Sequence, residues 1–273
     1  MTSNLPPRRA LVTGASSGIG YELARIMAAD GWSVVLAARS QDKLAALADQ
    51  LRAQPPGVGL QRDSPPVTVD VVPIDLSQPG AAERLFDAAT AGGRPITALV
   101  NNAGFGLWGP FAENDPAELD RLIQLNVAAP TALARLALPE MIARRSGYIL
   151  NVASAAAFQP GPLMAAYYAS KAYVLHLSEA IAEEANRQGV RVTALCPGPV
   201  STDFSRRAAM ESSRLFRGHA LDARRVAADG YRGMLRGARI VVPGVKYKLL
   251  TFAGRFAPRA WLAKIAMRMQ ARV

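Results

Sequence analysis

The 273-residue sequence predicts an α/β fold, a doubly wound parallel sheet with helices on both faces. Three observations carry that expectation. Short runs rich in Val, Leu and Ile alternate with longer segments apolar at helical spacing, the pattern of βαβ units. The short runs are continuously apolar rather than alternating, which suits strands covered on both faces. About half of the residues are apolar and glycine is frequent, the composition of a packed globular protein.

The elements follow in order. "RALVTG" reads as the first strand, and "GIGYELARIMAADG" follows as a helix with Ile19, Leu23, Ile26 and Met27 at helical spacing. "WSVVLAAR" is the second strand and "QDKLAALADQLRA" the second helix. The Pro- and Gly-rich stretch "QPPGVGLQRDSPP" (54–66) reads as a surface loop. The strands continue as "VTVDVVPIDL", "ITALVNNAG", "GYILNVAS", "VRVTALCPG" and "ARIVVPG", with helical stretches between. One uninterrupted series predicts one dinucleotide-binding and catalytic domain over 1–245, with right-handed crossovers. Residues 246–273 form a basic, apolar extension beyond it.

Composition excludes several classes. No apolar run reaches the roughly 18 residues a spanning helix needs, and the N-terminus lacks the pattern of a signal peptide. A single cysteine, Cys196, rules out an internal disulfide and is compatible with the cytoplasm. Cys196 reads as a buried structural thiol, since no His neighbours it in sequence. His176 and His219 stand apart with no acidic or Cys companions, so no metal site is expected. The formal net charge of +11 is local: no Asp or Glu follows Asp229, and ten Lys or Arg do.

"VTGASSGIG" joins the first strand to the first helix, with Gly14, Gly18 and Gly20 at the turn. Glycine there permits positive φ and close backbone approach. The helix N-terminus behind it suits a pyrophosphate. The spacing is G-x3-G-x-G rather than G-x-G-x-x-G, but its place after the first strand fits a Rossmann-type nucleotide site. The second strand ends with Ala38, where an acid would favour a ribose hydroxyl, followed by Arg39 and Ser40. A guanidinium grips a 2′-phosphate that a carboxylate would repel, so NADP(H) is the expected cofactor.

The stretch "MAAYYASKAY" holds Tyr167, Tyr168 and Lys171. Residues three and four apart both share a helical face, so spacing alone leaves either tyrosine beside the lysine. A free tyrosine has a pKa of ~10, and a neighbouring ammonium is expected to lower it.

With "TGASSGIG", "NNAG" (Asn101 to Gly104), Asn126, Ser154, Y-x3-K and "PG" at Pro197-Gly198, the sequence resembles the short-chain dehydrogenase/reductase family over residues 8–245. The resemblance implies Tyr167 as the proton donor and Lys171 as its partner, which also holds the nicotinamide ribose. It implies Ser154 on the substrate oxygen, and Asn126 on a water that relays protons. It implies cofactor contacts from Gly14, Ser16, Ser17, Gly18, Ile19 and Gly20. Asp75 and Leu76 would meet the adenine, and Asn101, Asn102, Ala103 and Gly104 would back its ribose and stabilise the central sheet. Pro197, Gly198, Val200 and Thr202 would close over the nicotinamide. The implied activity is hydride transfer between NADPH and a carbonyl or alcohol. Homodimers or homotetramers through the helices around 120–145 and 164–189 are implied too.

The segments "FGLWGPF" (Phe105 to Phe111) and "AAAFQPGPLM" (Ala155 to Met164) are apolar and uncharged, predicting a substrate that is hydrophobic near the reacting carbon. With arginines after Thr202 to meet an anionic group, an acyl thioester or a lipid-like ketone fits, as does a steroid. The segment 203–222 reads as a mobile lid. In the extension, Trp261, Leu262, Ile265 and Met269 gather on one helical face flanked by Lys264 and Arg268. A helix at a membrane surface and a helix packed on the fold or on another subunit both fit. Nucleic acid is disfavoured, because no recognition motif accompanies the charge. Two other functions compete with the reductase: a sugar-nucleotide epimerase and a non-catalytic NADPH sensor. Epimerases carry a larger C-terminal domain, and sensors typically lose the tyrosine or the lysine, whereas both are present here.

Overall fold

Strand β1 (Arg9–Thr13) is buried along its whole length, as its apolar run requires. The computed structural model to which it belongs describes residues 8–53, 67–200 and 220–270. Around β1 stand β2 (Ser33–Ala38), β3 (Val69–Pro73), β4 (Ala98–Asn101), β5 (Gly147–Val152), β6 (Val190–Leu195) and β7 (Ile240–Val241). They form one parallel sheet in the order β3-β2-β1-β4-β5-β6-β7.

The pleat explains why each strand is apolar throughout. Ala10, Val12, Val34, Leu36 and Val100 face α1 (Gly18–Ala29), α2 (Gln41–Ala53) and α7 (Ala223–Arg236) through Leu23, Met27, Leu44, Leu47 and Met234. Leu11, Val35, Ala37, Leu99 and Ile149 face the other way. There they meet α3 (Ala81–Thr90), α5 (Ala129–Ala143) and α6 (Ala165–Asn186). Successive side chains alternate between two cores, so a polar group at a strand position is costly without a partner.

The asparagines inside the sheet are paired, whereas the buried Thr193 hydroxyl on β6 has no partner among the described residues. Asn101 Nδ2 donates to Asn151 Oδ1 at 2.9 Å, and Asn151 Nδ2 donates to Ser178 Oγ at 2.9 Å. That chain of bonds ties β4 and β5 to α6. It also turns Asn101 into the sheet rather than toward the cleft, which gives this residue a structural position.

Helix ends are marked by local chemistry. Asp115 caps α4 (Pro116–Ile123) by accepting from the Ala117 N–H, and Asp222 caps α7 by accepting from the Arg225 N–H. Between α4 and α5 one turn, Gln124–Ala128, widens into a π-helix. Strand β7 is shorter than its sequence suggested; it sits at the sheet edge, pairing only with β6, and Pro243 follows with no N–H to offer. Beyond it, α8 (Val245–Ala253) and α9 (Arg259–Gln270) complete the described chain. No helix among the described residues is long and apolar enough to cross a membrane.

The loop 54–66 and most of the expected lid lie outside the described residues, as do Thr202 and His219.

Candidate active site

From β1 the chain runs outward through β2 to β3, then returns to start the other half with β4 beside β1. Such a reversal opens a crevice at the carboxyl ends of the strands. A cavity of about 510 Å³ lies there.

At one end of it stands the glycine loop. Gly14 and Gly18 adopt φ of +66° and +59°, which side-chain-bearing residues rarely do. Gly20 is required for a different reason: a Cβ there would lie 2.3 Å from Asn102 Nδ2 and 2.4 Å from the Gly14 carbonyl oxygen. Asn102 fixes the loop, its Nδ2 donating to the Thr13 and Gly14 carbonyls at 3.0 and 3.2 Å. The Thr13 hydroxyl accepts from the Asn102 and Ala103 N–H groups. Gly14, Ser16, Ser17, Gly18 and Ile19 line the cavity, with the N-terminus of α1 behind them. This is a backbone cradle open to an anion, and it fits the diphosphate of a dinucleotide.

Arg39 and Ser40 line the same end, with Asp75 and Leu76 beside them at the end of the neighbouring strand β3. Burial alone would raise the Asp75 carboxyl. The Ser77 N–H and hydroxyl, at 3.0 and 2.8 Å, together with the Arg39 charge, outweigh it and hold Asp75 below the usual carboxylate value. Asp75 therefore stays ionised as an acceptor.

The other end is assembled from β4, β5, β6 and α6. Ser154 leaves β5 with its Oγ accepting from the Ala156 N–H at 3.1 Å, which aims the hydroxyl into the cavity wall. Tyr167 lies in the first turn of α6, hydrogen-bonded to Ser154. Lys171, one turn on, is 5 % exposed and donates from Nζ to the Val152 carbonyl at 2.8 Å. Its Nζ stands 5.8 Å from the centre of the Tyr167 ring. Pro197, Gly198 and Val200 form the floor.

Asn126 sits on the π-turn, 1 % exposed. Its Oδ1 accepts from the Phe105 N–H at 3.1 Å; its Nδ2 donates to the Phe105 carbonyl at 2.9 Å and to Ser170 Oγ at 3.1 Å. Widened turns of this kind recur at functional sites. Here the turn pins the loop after β4 next to Lys171: a Cβ on Gly104 would come 3.0 Å from Asn126 Oδ1 and 3.5 Å from Lys171 Nζ.

One expectation is corrected. Lys171 does not bring Tyr167 below its ordinary pKa. Burial pushes the Tyr167 phenol up, only partly offset by its bond to Ser154, and burial pulls Lys171 down to about 8. Taking both groups out of water costs each charged form more than their mutual attraction returns. Burial also pushes the Cys196 thiol up to about 12, which leaves it inert.

Tyr168 has a different surrounding. Its ring fills the space beside Gly161, where a Cβ would approach it to 2.2 Å. Its hydroxyl accepts from Gln270 Nε2 at 2.6 Å, and the Gln270 carbonyl accepts from Trp108 Nε1 at 3.1 Å. The last described turn of the chain is therefore bound to the active-site helix. Leu250, Thr251, Leu262 and Met269 of the extension wall the cavity beside Phe105, Phe158 and Met164. Tyr247 lies against Gly198, where a Cβ would come 2.5 Å from its ring. Sequence reasoning missed Gln270 and Tyr247 as cavity residues. Gln270 has no motif around it and meets Tyr168 across 102 positions.

The architecture and cleft are those of a Rossmann-type, dinucleotide-binding class of fold. A model of the short chain dehydrogenase family matches residues 8–212. The chain belongs to that family. It is 36% identical over 203 residues to a short chain dehydrogenase of Pseudocercospora fijiensis, covering 73% of this chain and 62% of that one. It is 32% identical over 199 residues to a very-long-chain 3-oxoacyl-CoA reductase of Phaeosphaeria nodorum, covering 72% and 56%. The chain thus spans less than two thirds of the length of either relative. A solved short-chain dehydrogenase from Sphingobium yanoikuyae, in complex with NADPH, superposes with a TM-score of 0.78. That structure is 30% identical, with 92% and 94% of the two chains covered. Another solved relative holds NAD.

Proposed function

We propose that the protein is an NADPH-preferring carbonyl reductase acting on an apolar, acyl- or lipid-like ketone. The observation that carries this reading is the grouping of Ser154, Tyr167 and Lys171 at one end of an apolar cleft whose other end is the glycine loop and Arg39.

A nicotinamide cofactor held in the cleft would supply the hydride, and the protein supplies position and protons. Ser154 Oγ holds the substrate oxygen. Tyr167 Oη, which burial keeps protonated at neutral pH, donates its proton to that oxygen as negative charge develops. Lys171 Nζ, fixed on the Val152 carbonyl, would hold the ribose hydroxyls of the cofactor and stabilises the phenolate left behind. Asn126 keeps the Gly104–Phe105 backbone in place beside Lys171. Phe105, Phe158, Met164 and Leu262 enclose the rest of the substrate in apolar surface.

The selector for the phosphate is Arg39, exposed at the end of β2 with Ala38 before it. Arg39→Ala should raise KM for NADPH by about tenfold or more, the worth of a charged hydrogen bond, and leave KM for NADH nearly unchanged. Loss of reduced-nicotinamide absorbance, followed with both cofactors, measures this. The same assay over ketones and 3-oxoacyl thioesters of graded chain length tests the reading as a whole. Rates that rise with apolar length and require NADPH support it. Equal rates with NADH, or no turnover of any carbonyl despite NADPH binding, would overturn it.

A further inference from the structure

Large apolar side chains that remain exposed are concentrated in one place. Of the twelve among the described residues, nine fall between Val245 and Met269, and Phe252, Phe256 and Trp261 are 59, 76 and 66 % exposed. Phe252 and Phe256 pack edge to face, 5.4 Å between ring centres, so they form one patch. Lys246, Lys248, Arg255, Arg259, Lys264 and Arg268 are interspersed with them, and no acidic residue follows Asp229. Among the described residues none of these six forms an ion pair.

We propose that the outer face of α8 and α9 docks the protein on an anionic lipid bilayer, with the mouth of the cavity toward the membrane. Interfacial helices combine this apolar surface with flanking cations: aromatic and aliphatic groups enter the acyl boundary while Lys and Arg meet anionic headgroups. At 9 and 12 residues the two helices are far too short to span, so they lie along the surface. A second copy of the chain is a poor occupant. A two-fold contact would set six cations against the same six, with no carboxylate in the segment to pair them.

The position of the surface gives it a purpose. Leu250, Ile265 and Met269 line the cavity and are also 56, 51 and 40 % exposed, so they belong to its rim and to the docking face at once. An apolar molecule dissolved in the bilayer reaches the cleft across these residues without passing through water. Delivery rests on the reductase reading; docking does not, and binding is measured without turnover.

Flotation of the full chain with vesicles of phosphatidylcholine alone, and with added phosphatidylglycerol, tests the proposal. Flotation is expected only with the anionic vesicles, weakened by salt. Lys248→Gln, Arg255→Gln and Lys264→Gln should each cost roughly fivefold in partitioning. Phe256→Ser with Trp261→Ser should abolish flotation, while turnover of a small soluble ketone stays at the wild-type level, since neither side chain lines the cavity. No flotation at any composition would overturn the proposal. So would flotation unaffected by the paired substitution, or a dimer that the pair dissociates while vesicles go unbound.

Discussion

Tyr167→Phe is expected to lower kcat by roughly 10²–10⁴-fold, the usual worth of a positioned proton donor. NADPH binding, read by quenching of protein fluorescence, should change little, because the ring and its packing remain. The contrast with its neighbour makes the result decisive. Tyr168→Phe should keep most of the turnover, because the Tyr168 hydroxyl faces Gln270 rather than the Ser154–Lys171 group. It should instead lose about 1–3 kcal/mol of stability through the buried Gln270 amide left without its partner. Urea unfolding reads that loss. Inactivation by Tyr168→Phe, with Tyr167→Phe active, would reverse the assignment.

Lys171→Met is expected to reduce kcat by roughly 10²–10³-fold, as removal of one preorganised electrostatic donor does. It should also leave a signature in stability. Folded Lys171 loses its proton near pH 8, while in the unfolded chain it keeps it to about 10.5. Between those values the unfolded state binds more protons, so this residue adds stability as pH rises; below pH 8 the cost of its buried charge is fully present. The wild type should therefore gain on Lys171→Met between pH 8 and 10 in the cofactor-free enzyme. Thermal unfolding at stepped pH measures the difference. A constant gap across that range would mean that Lys171 is not desolvated as the fold shows.

Much of this was legible in the sequence because it rests on local rules. Short continuous apolar runs such as "SVVLAA", set between turn signals, suit strands covered on both faces. A glycine turn between a first strand and a first helix has few other uses. The four-residue step from Tyr167 to Lys171 is one helical turn, so the pair was bound to share a face. The choice between the two tyrosines was not local: it depended on family pattern, and the fold separates them through Ser154 and Gln270, distant in sequence. The acidity of Tyr167 was misjudged because burial, which dominates it, is a property of the assembled site. The extension had two readings, packed or at a surface, and its helices have an inner side on the cavity and an outer side in solvent. An amphipathic pattern states that a helix has two sides without saying what meets each.

The asparagine pair inside the sheet has a consequence for how the molecule opens. Asn101, Asn151 and Ser178 join β4, β5 and α6 by bonds between groups that are all at most 5 % exposed. Unwinding the middle of α6 would strand those groups in the core, so its amides should exchange with deuterium only when the whole domain unfolds. Helices α8 and α9 hold few buried side chains, Ala266 and Gln270 in α9 and none in α8, and should exchange by separate, cheaper openings. The protein should thereby divide into a slow-exchanging body around α6 and a fast-exchanging wall. The wall can part from the cleft while Tyr167 and Lys171 stay in register.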